Sequence, residues 1–230
     1  MPTATAVPEA EAVALTVAYT AEMARLGDMV GAAIREVFES MPALDRAELA
    51  EFIAATKPLA HAGATEAADL ASAYLAELSG TMPAAVDLAI DLPALDGPFL
   101  HHWHNLTERM PWDESRVTGA GQAEMLGPDA VKRGANARMG KPGMKTRGFR
   151  RCLHPGACEW CQVVSTQLYK SAESASFGHH ACRCYVIPVI GGADAVAAIN
   201  RKRLGELRRS GAVQRVSKAR DRSRARQRSG

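Results

Sequence analysis

The chain has 230 residues, of which 5% are aromatic and 47% hydrophobic, and a formal net charge of +3. That length suits one ordinary domain or two small ones with enough chain to bury a core. Scarce aromatics and an alanine-rich first half disfavour a sandwich or barrel and point to a mainly α fold of close-packed helices.

No apolar run approaches the roughly 20 residues of a membrane span, so no membrane partner is expected. Early acids, Glu9 and Glu11, with no basic segment before them, do not read as a secretory signal, and a reducing cytosol is the expected compartment. The small net charge conceals a gradient. Residues 1–100 hold 4 basic and 15 acidic side chains, residues 101–200 hold 12 and 8, and residues 201–230 hold 12 and 2. An anionic partner is therefore expected at the tail.

Residues 1–8 read as a frayed start. From Glu9 to about Met41, Val13, Val17, Met23, Leu26, Val30, Ile34, Val37 and Phe38 recur at three- and four-residue steps, the apolar face of one helix with a break expected near Gly27 or Gly31. Pro42 stops it. Asp45 and Glu48 have capping-box spacing, so a second helix is expected from Asp45 with Leu49, Phe52 and Ile53 facing inward. Pro58 and Gly63 are expected to interrupt it before a third segment, Thr65 to about Leu78, with Leu70, Tyr74, Leu75 and Leu78 on one face.

Residues 1–80 thus read as an acidic helical domain. Residues 81–148 read as a partly helical basic connector: Pro83, Pro93 and Pro98 lie among acidic turns, Phe99 to Met110 forms a short helix, and seven glycines with interspersed Lys and Arg fill 118–148. Residues 149–192 read as a zinc-knuckle module whose Tyr185 to Ile190 is a short strand, edge-placed because Pro188 lacks a donor. Residues 193–230 read as a basic helix from Asp194 to about Arg209 and a disordered arginine-rich tail.

The chemistry concentrates between Cys152 and Cys184, which span all five cysteines and three of the seven histidines. Cys158-Glu159-Trp160-Cys161 is followed by seventeen residues free of Cys and His, then by His179-His180-Ala181-Cys182-Arg183-Cys184. Two closely spaced pairs of soft donors are what a tetrahedral zinc requires. The candidate ligands are Cys158, Cys161, His179 and Cys182, with Cys184 or His180 as alternates, and Cys152 reads as a bystander. Structural zinc contributes on the order of 10–16 kcal/mol of apparent binding energy in small peptides, more than the lean apolar content of this segment offers. The bland alternative is a set of buried thiols without metal.

A zinc deaminase needs His-x-Glu ahead of its cysteine pair, and this chain has none. A His-Asn-His nuclease needs a histidine beyond His180, and none exists. No catalytic role is therefore expected. His101, His102 and His104 around Trp103 read as surface or helix-lining histidines before they read as a second metal site. Arg215, Lys218, Arg220, Arg222, Arg224, Arg226 and Arg228 are the candidate contacts to a nucleic-acid backbone, neutralising phosphates without reading bases.

The segment of about residues 145–190 resembles the phage minor head proteins of the Mu F-like head morphogenesis family. Arg150-Arg151, the Cys-x-aromatic-Cys at 158–161, Tyr169, and Phe177-Gly178 running into the His-x-x-Cys-Arg-Cys at 179–184 and then a proline-containing strand carry the resemblance. The chain departs from many relatives at Gln167-Leu168, where they hold a glycine. The resemblance implies a few-copy virion component inside the head, made in the host cytoplasm, in contact with portal and capsid proteins and acting in head assembly and in DNA packaging or ejection. Double-stranded DNA is then the partner of the tail. The alternatives are a zinc-dependent nucleic-acid enzyme, nuclease or toxin-like, and a host DNA-binding zinc protein.

Overall fold

The computed structural model describes residues 7–41, 46–81, 112–155, 157–176, 183–192 and 194–209. The expected first helix is α1 (Glu9–Glu39), with Glu9 and Glu11 in a first turn whose free N–H groups favour negative charge. Ser40 and Met41 close it by donating to Glu36 and Phe38 carbonyls. Helix α2 (Arg46–Ser79) and helix α3 (Trp112–Gly140) complete a three-helix bundle, and the fold is mainly α.

Three expectations change here. Helix α1 does not break at Gly27 or Gly31, α2 runs unbroken through Pro58 and Gly63, and much of the supposed connector is the long helix α3. One cause accounts for the glycines. A Cβ on Gly127 of α3 would overlap the Gly31 backbone of α1, and one on Gly134 would overlap the Ala64 backbone of α2. Gly27 lies against Pro128 and Gly31 against the Glu124 backbone of α3, and Gly63 lies against the Val30 side chain of α1, so these glycines are contact points, not hinges. Pro58 costs its helix about 3 kcal/mol and one backbone bond. The helix persists because Phe52, Ala60, Ala64, Ala67 and Leu75 on both sides of the proline are buried.

Two apolar clusters fill the bundle. At one end Phe38 and Phe52 meet edge to face, 5.9 Å apart at 89°, among Ile34, Leu49 and Leu126. At the other, Tyr19 stacks on Tyr74 at 4.6 Å, beside Met23, Leu26, Leu75, Val131 and Met139. The Tyr74 hydroxyl shares a 2.8 Å hydrogen bond with buried Thr16. Val17, expected on the inner face, is 44% exposed because Thr16 and Tyr19 occupy the buried positions around it. Residues 42–45, including the Asp45 cap, and the 82–111 segment with its expected short helix lie outside the described residues.

The remaining chain covers the Tyr19 end. Strand β1 (Gly148–Cys152) pairs antiparallel with β2 (Tyr185–Val189), from Gly148 opposite Val189 to Cys152 opposite Tyr185. Phe149 also exchanges two 2.8 Å backbone bonds with Tyr169 on its other side. Between the strands lie two short helices, α4 (Glu159–Val164) and α5 (Ala172–Ser176), and helix α6 (Ala195–Arg209) follows. Cys152, Tyr185 and Ile187 of the sheet and Val196 and Ile199 of α6 share one core with the bundle, so the cysteine-bearing segment is built onto the helices and not tethered beside them.

The glycine contacts set a clear expectation for unfolding measurements. Gly134→Ala should destabilise the protein by about 3 kcal/mol despite alanine's better helix propensity, because backbone must move. Gly121→Ala on the same helix, where an added Cβ meets nothing within 4 Å, should stabilise by up to about 1 kcal/mol.

Candidate metal centre

Cys158 is extended, with φ −66° and ψ 163°, and serves as the N-cap of α4, where its Sγ accepts the Cys161 N–H at 3.5 Å. An extended residue followed by a tight turn is the local shape with which Cys-x-x-Cys offers two sulfurs to one metal. The cap also satisfies an N–H that the first turn would leave unpaired. Cys161 is fully buried and Cys158 partly so. Gln162 holds the turn from inside, its Nε2 donating to the Ala157 carbonyl at 2.9 Å.

The Cys161 sulfur accepts from Arg151 Nη1 at 3.3 Å. Cys184 lies at the foot of β2, where its Sγ accepts the His154 N–H at 3.4 Å. Cys161, Cys184, Leu153 and Ala157 form one buried cluster, with Cys158 and Leu204 packed against it. Three of the expected donors thus share one neighbourhood, and each sulfur already accepts an N–H.

His179, His180 and Cys182 lie outside the described residues, as do His101, His102 and His104 and the tail cations Arg215, Lys218, Arg220, Arg222, Arg224, Arg226 and Arg228. Among the described residues no three His, Cys, Asp or Glu side chains gather as a group able to hold a metal. Cys152 sits in the bundle core, away from the knuckle. Burial pushes its thiol pKa up, and the nearby Arg203 guanidinium, 3.9 Å from the sulfur, opposes that rise.

The polar residues that lock this region escaped the sequence reading. Asn200 of α6, 3% exposed, accepts the Leu153 N–H at 3.0 Å and donates to the carbonyls of Arg151 at 2.8 Å and Ser165 at 3.0 Å. One amide therefore ties α6, β1 and the end of α4 together. Its only signal in the sequence is a polar residue at an inward position of the Val196, Ile199, Asn200 face. Asn136 of α3 similarly accepts the Val186 N–H at 3.2 Å.

The basic residues of the recognisable motif do structural work. Arg150 pairs with Asp194 at 2.6 Å and donates to the Thr166 carbonyl at 2.9 Å, while Asp194 caps α6 through the Ala197 N–H at 2.9 Å. Arg183 reaches α1 and pairs with Asp28 at 2.7 Å. On α6 the inward half is apolar, and Arg201, Lys202, Arg208 and Arg209 are exposed on the half that leads into the tail.

No family model matches the chain, and no curated protein or solved structure matches it.

Replacing Asn200 by Ala would strip a buried N–H and two carbonyls of partners at once. Chemical denaturation of Asn200→Ala should show a loss of about 3 kcal/mol, set by the groups left unsatisfied. Asn200→Asp, which retains only the acceptor, should fall in the same direction.

Proposed function

We propose that this protein is a phage minor head protein acting inside the capsid with portal and capsid partners, built around a structural zinc site and contacting double-stranded DNA through its basic end. The observation that carries the reading is the state of the motif segment. Its own Arg183 pairs with Asp28 of α1, Arg150 with Asp194 at the start of α6 and Arg151 with Cys161 inside the segment, so the residues that make the segment recognisable are used in holding it together and in place. A signature used this way fits a rigid assembly component better than a catalytic one.

Cys158 and Cys161 would hold the zinc, with the second pair supplied from His179 and Cys182 or their alternates His180 and Cys184. The metal would add cross-linking energy to a segment whose own apolar clusters are small, and no chemical step is assigned to it. The exposed cations of α6 extend the charge of the tail onto the folded surface, and such a surface attracts phosphate backbones without regard to sequence.

The genes flanking the coding sequence test the assembly role. Portal and scaffold genes beside it are the expected result, and a neighbourhood without head genes would overturn the reading. Elemental analysis of protein purified without chelator should find about one zinc per chain. Cys158→Ser should abolish it and lower the melting temperature.

For the basic end, deletion of residues 211–230 should weaken binding to duplex DNA. It should also flatten the dependence of the affinity on salt, because seven phosphate-neutralising cations are lost. Unchanged binding would remove the tail from the DNA contact. DNA cleavage abolished by Glu159→Ala would replace the structural reading with an enzymatic one.

A further inference from the structure

We propose that Lys141, Lys145 and Arg147, in the loop between α3 and β1, form a second surface for the phosphate backbone of duplex DNA, at the opposite end of α6 from the tail. The inference rests on the DNA reading above and goes beyond it by placing a contact where neither the tail nor α6 supplies the charge.

Between Asp129 and Glu159 the chain holds eight cations and no acid, so Lys141, Lys145 and Arg147 have no carboxylate within ten residues of them. The fold disposes of the others internally where it can. Lys132 pairs with Asp129 at 3.2 Å, Arg150 pairs with Asp194 at 2.6 Å, and Arg138 and Arg151 are buried. Lys141, Lys145 and Arg147 are exposed, and none of them forms an ion pair with a described residue. Like charges gathered in this way repel one another and favour a polyanion at the surface.

The loop that carries them is anchored along its length. The Lys141 N–H donates to the Arg138 carbonyl at 3.0 Å, and the Lys141 carbonyl accepts from the Arg138 guanidinium, whose Nε also donates to Ser72 Oγ of α2 at 2.7 Å. Met144 packs against the core around Tyr19. The Arg147 N–H donates to the Val189 carbonyl at 2.8 Å, and its Nη1 lies 3.5 Å from the Gly192 carbonyl, in the turn that leads to α6. Cations on a fixed platform lose less freedom on binding than cations on a free chain.

Helix α6 starts beside this loop and carries exposed Arg201, Lys202, Arg208 and Arg209 away from it. Its 15 residues span about 22 Å, the axial length of roughly six base pairs. A duplex lying along α6 would meet the loop at one end and the tail at the other.

The test uses the full chain and a short duplex of arbitrary sequence, with affinity followed by fluorescence anisotropy over a range of salt concentrations. The triple variant Lys141→Gln, Lys145→Gln, Arg147→Gln should bind on the order of 10- to 100-fold more weakly. Its slope of log affinity against log salt should be shallower by about 2 to 3, near 0.9 for each phosphate no longer neutralised. Lys145→Gln alone should lower the slope by about 0.9, whereas Lys57→Gln, exposed on α2 in the other half of the bundle, should leave it unchanged.

An unchanged slope in the triple variant, or equal losses in Lys57→Gln and Lys145→Gln, would overturn the proposal and leave the tail contact standing. A wild-type chain that binds no duplex would overturn the DNA reading and the proposal with it. Salt-sensitive self-association that the triple variant loses, at unchanged DNA affinity, would assign the loop to an acidic face of a second copy and overturn the proposal.

Discussion

The fold depends on how closely α3 approaches the other two long helices. Gly127 lies on the backbone of α1 at Gly31, Gly134 lies on α2 at Ala64, and Gly119 lies against the Phe38 ring. Alanines at 60, 64, 67, 71, 120, 123, 130 and 135 fill the remaining contact and are nearly all fully buried. With few large side chains available, the core is made by bringing backbones together so that many small dispersion contacts accumulate. The same economy leaves it intolerant of added volume, because a backbone cannot rotate out of the way as a side chain can.

Helix periodicity in α1 and α2 was legible in the sequence because their apolar residues are large and spaced for one face. Met23, Ile34, Phe38, Phe52, Tyr74 and Leu75 all lie where that spacing puts them. Helix α3 was illegible for the complementary reason. Its buried positions are Ala120, Ala123, Ala130 and Ala135 with few larger side chains, and its glycines carry no hydrophobic signal although they make the closest contacts. Local propensity reads such a stretch as a linker, and only the partner helices reveal it as the middle of a bundle. Pro58 misled in a similar way, since a local penalty of about 3 kcal/mol is smaller than the burial gained by a long helix.

At the candidate centre, the meeting of Cys158 and Cys161 was legible because their two-residue spacing is itself a local pattern. Its supports were not. Arg151, Asn200 and Asp194 act over sequence separations of 10 to 49 residues, and no window around any one of them reveals its partner. Asn200 illustrates the physical cost involved. A side-chain amide buried to 3% exposure is tolerated because it answers three backbone groups that the junction of α6, β1 and α4 leaves without ladder partners.

The charge gradient acquires a physical meaning from this architecture. The acids of α1 and α2 lie on the bundle, and one of them, Asp28, is engaged by Arg183 at the base of β2. Asp194 likewise engages Arg150 where α6 begins. Within the folded body, then, basic residues of the motif are matched to acids across element boundaries, and their charge is used in holding the motif in place. Beyond Asn200 the pattern changes: α6 exposes Arg201, Lys202, Arg208 and Arg209 against one acid, Glu206. Charges already engaged internally contribute little to binding a polyanion, whereas exposed ones release its counterions. Exposed cations thus stand on a helix anchored to the core, so the proposed contact with phosphate would begin there and not at the tail itself.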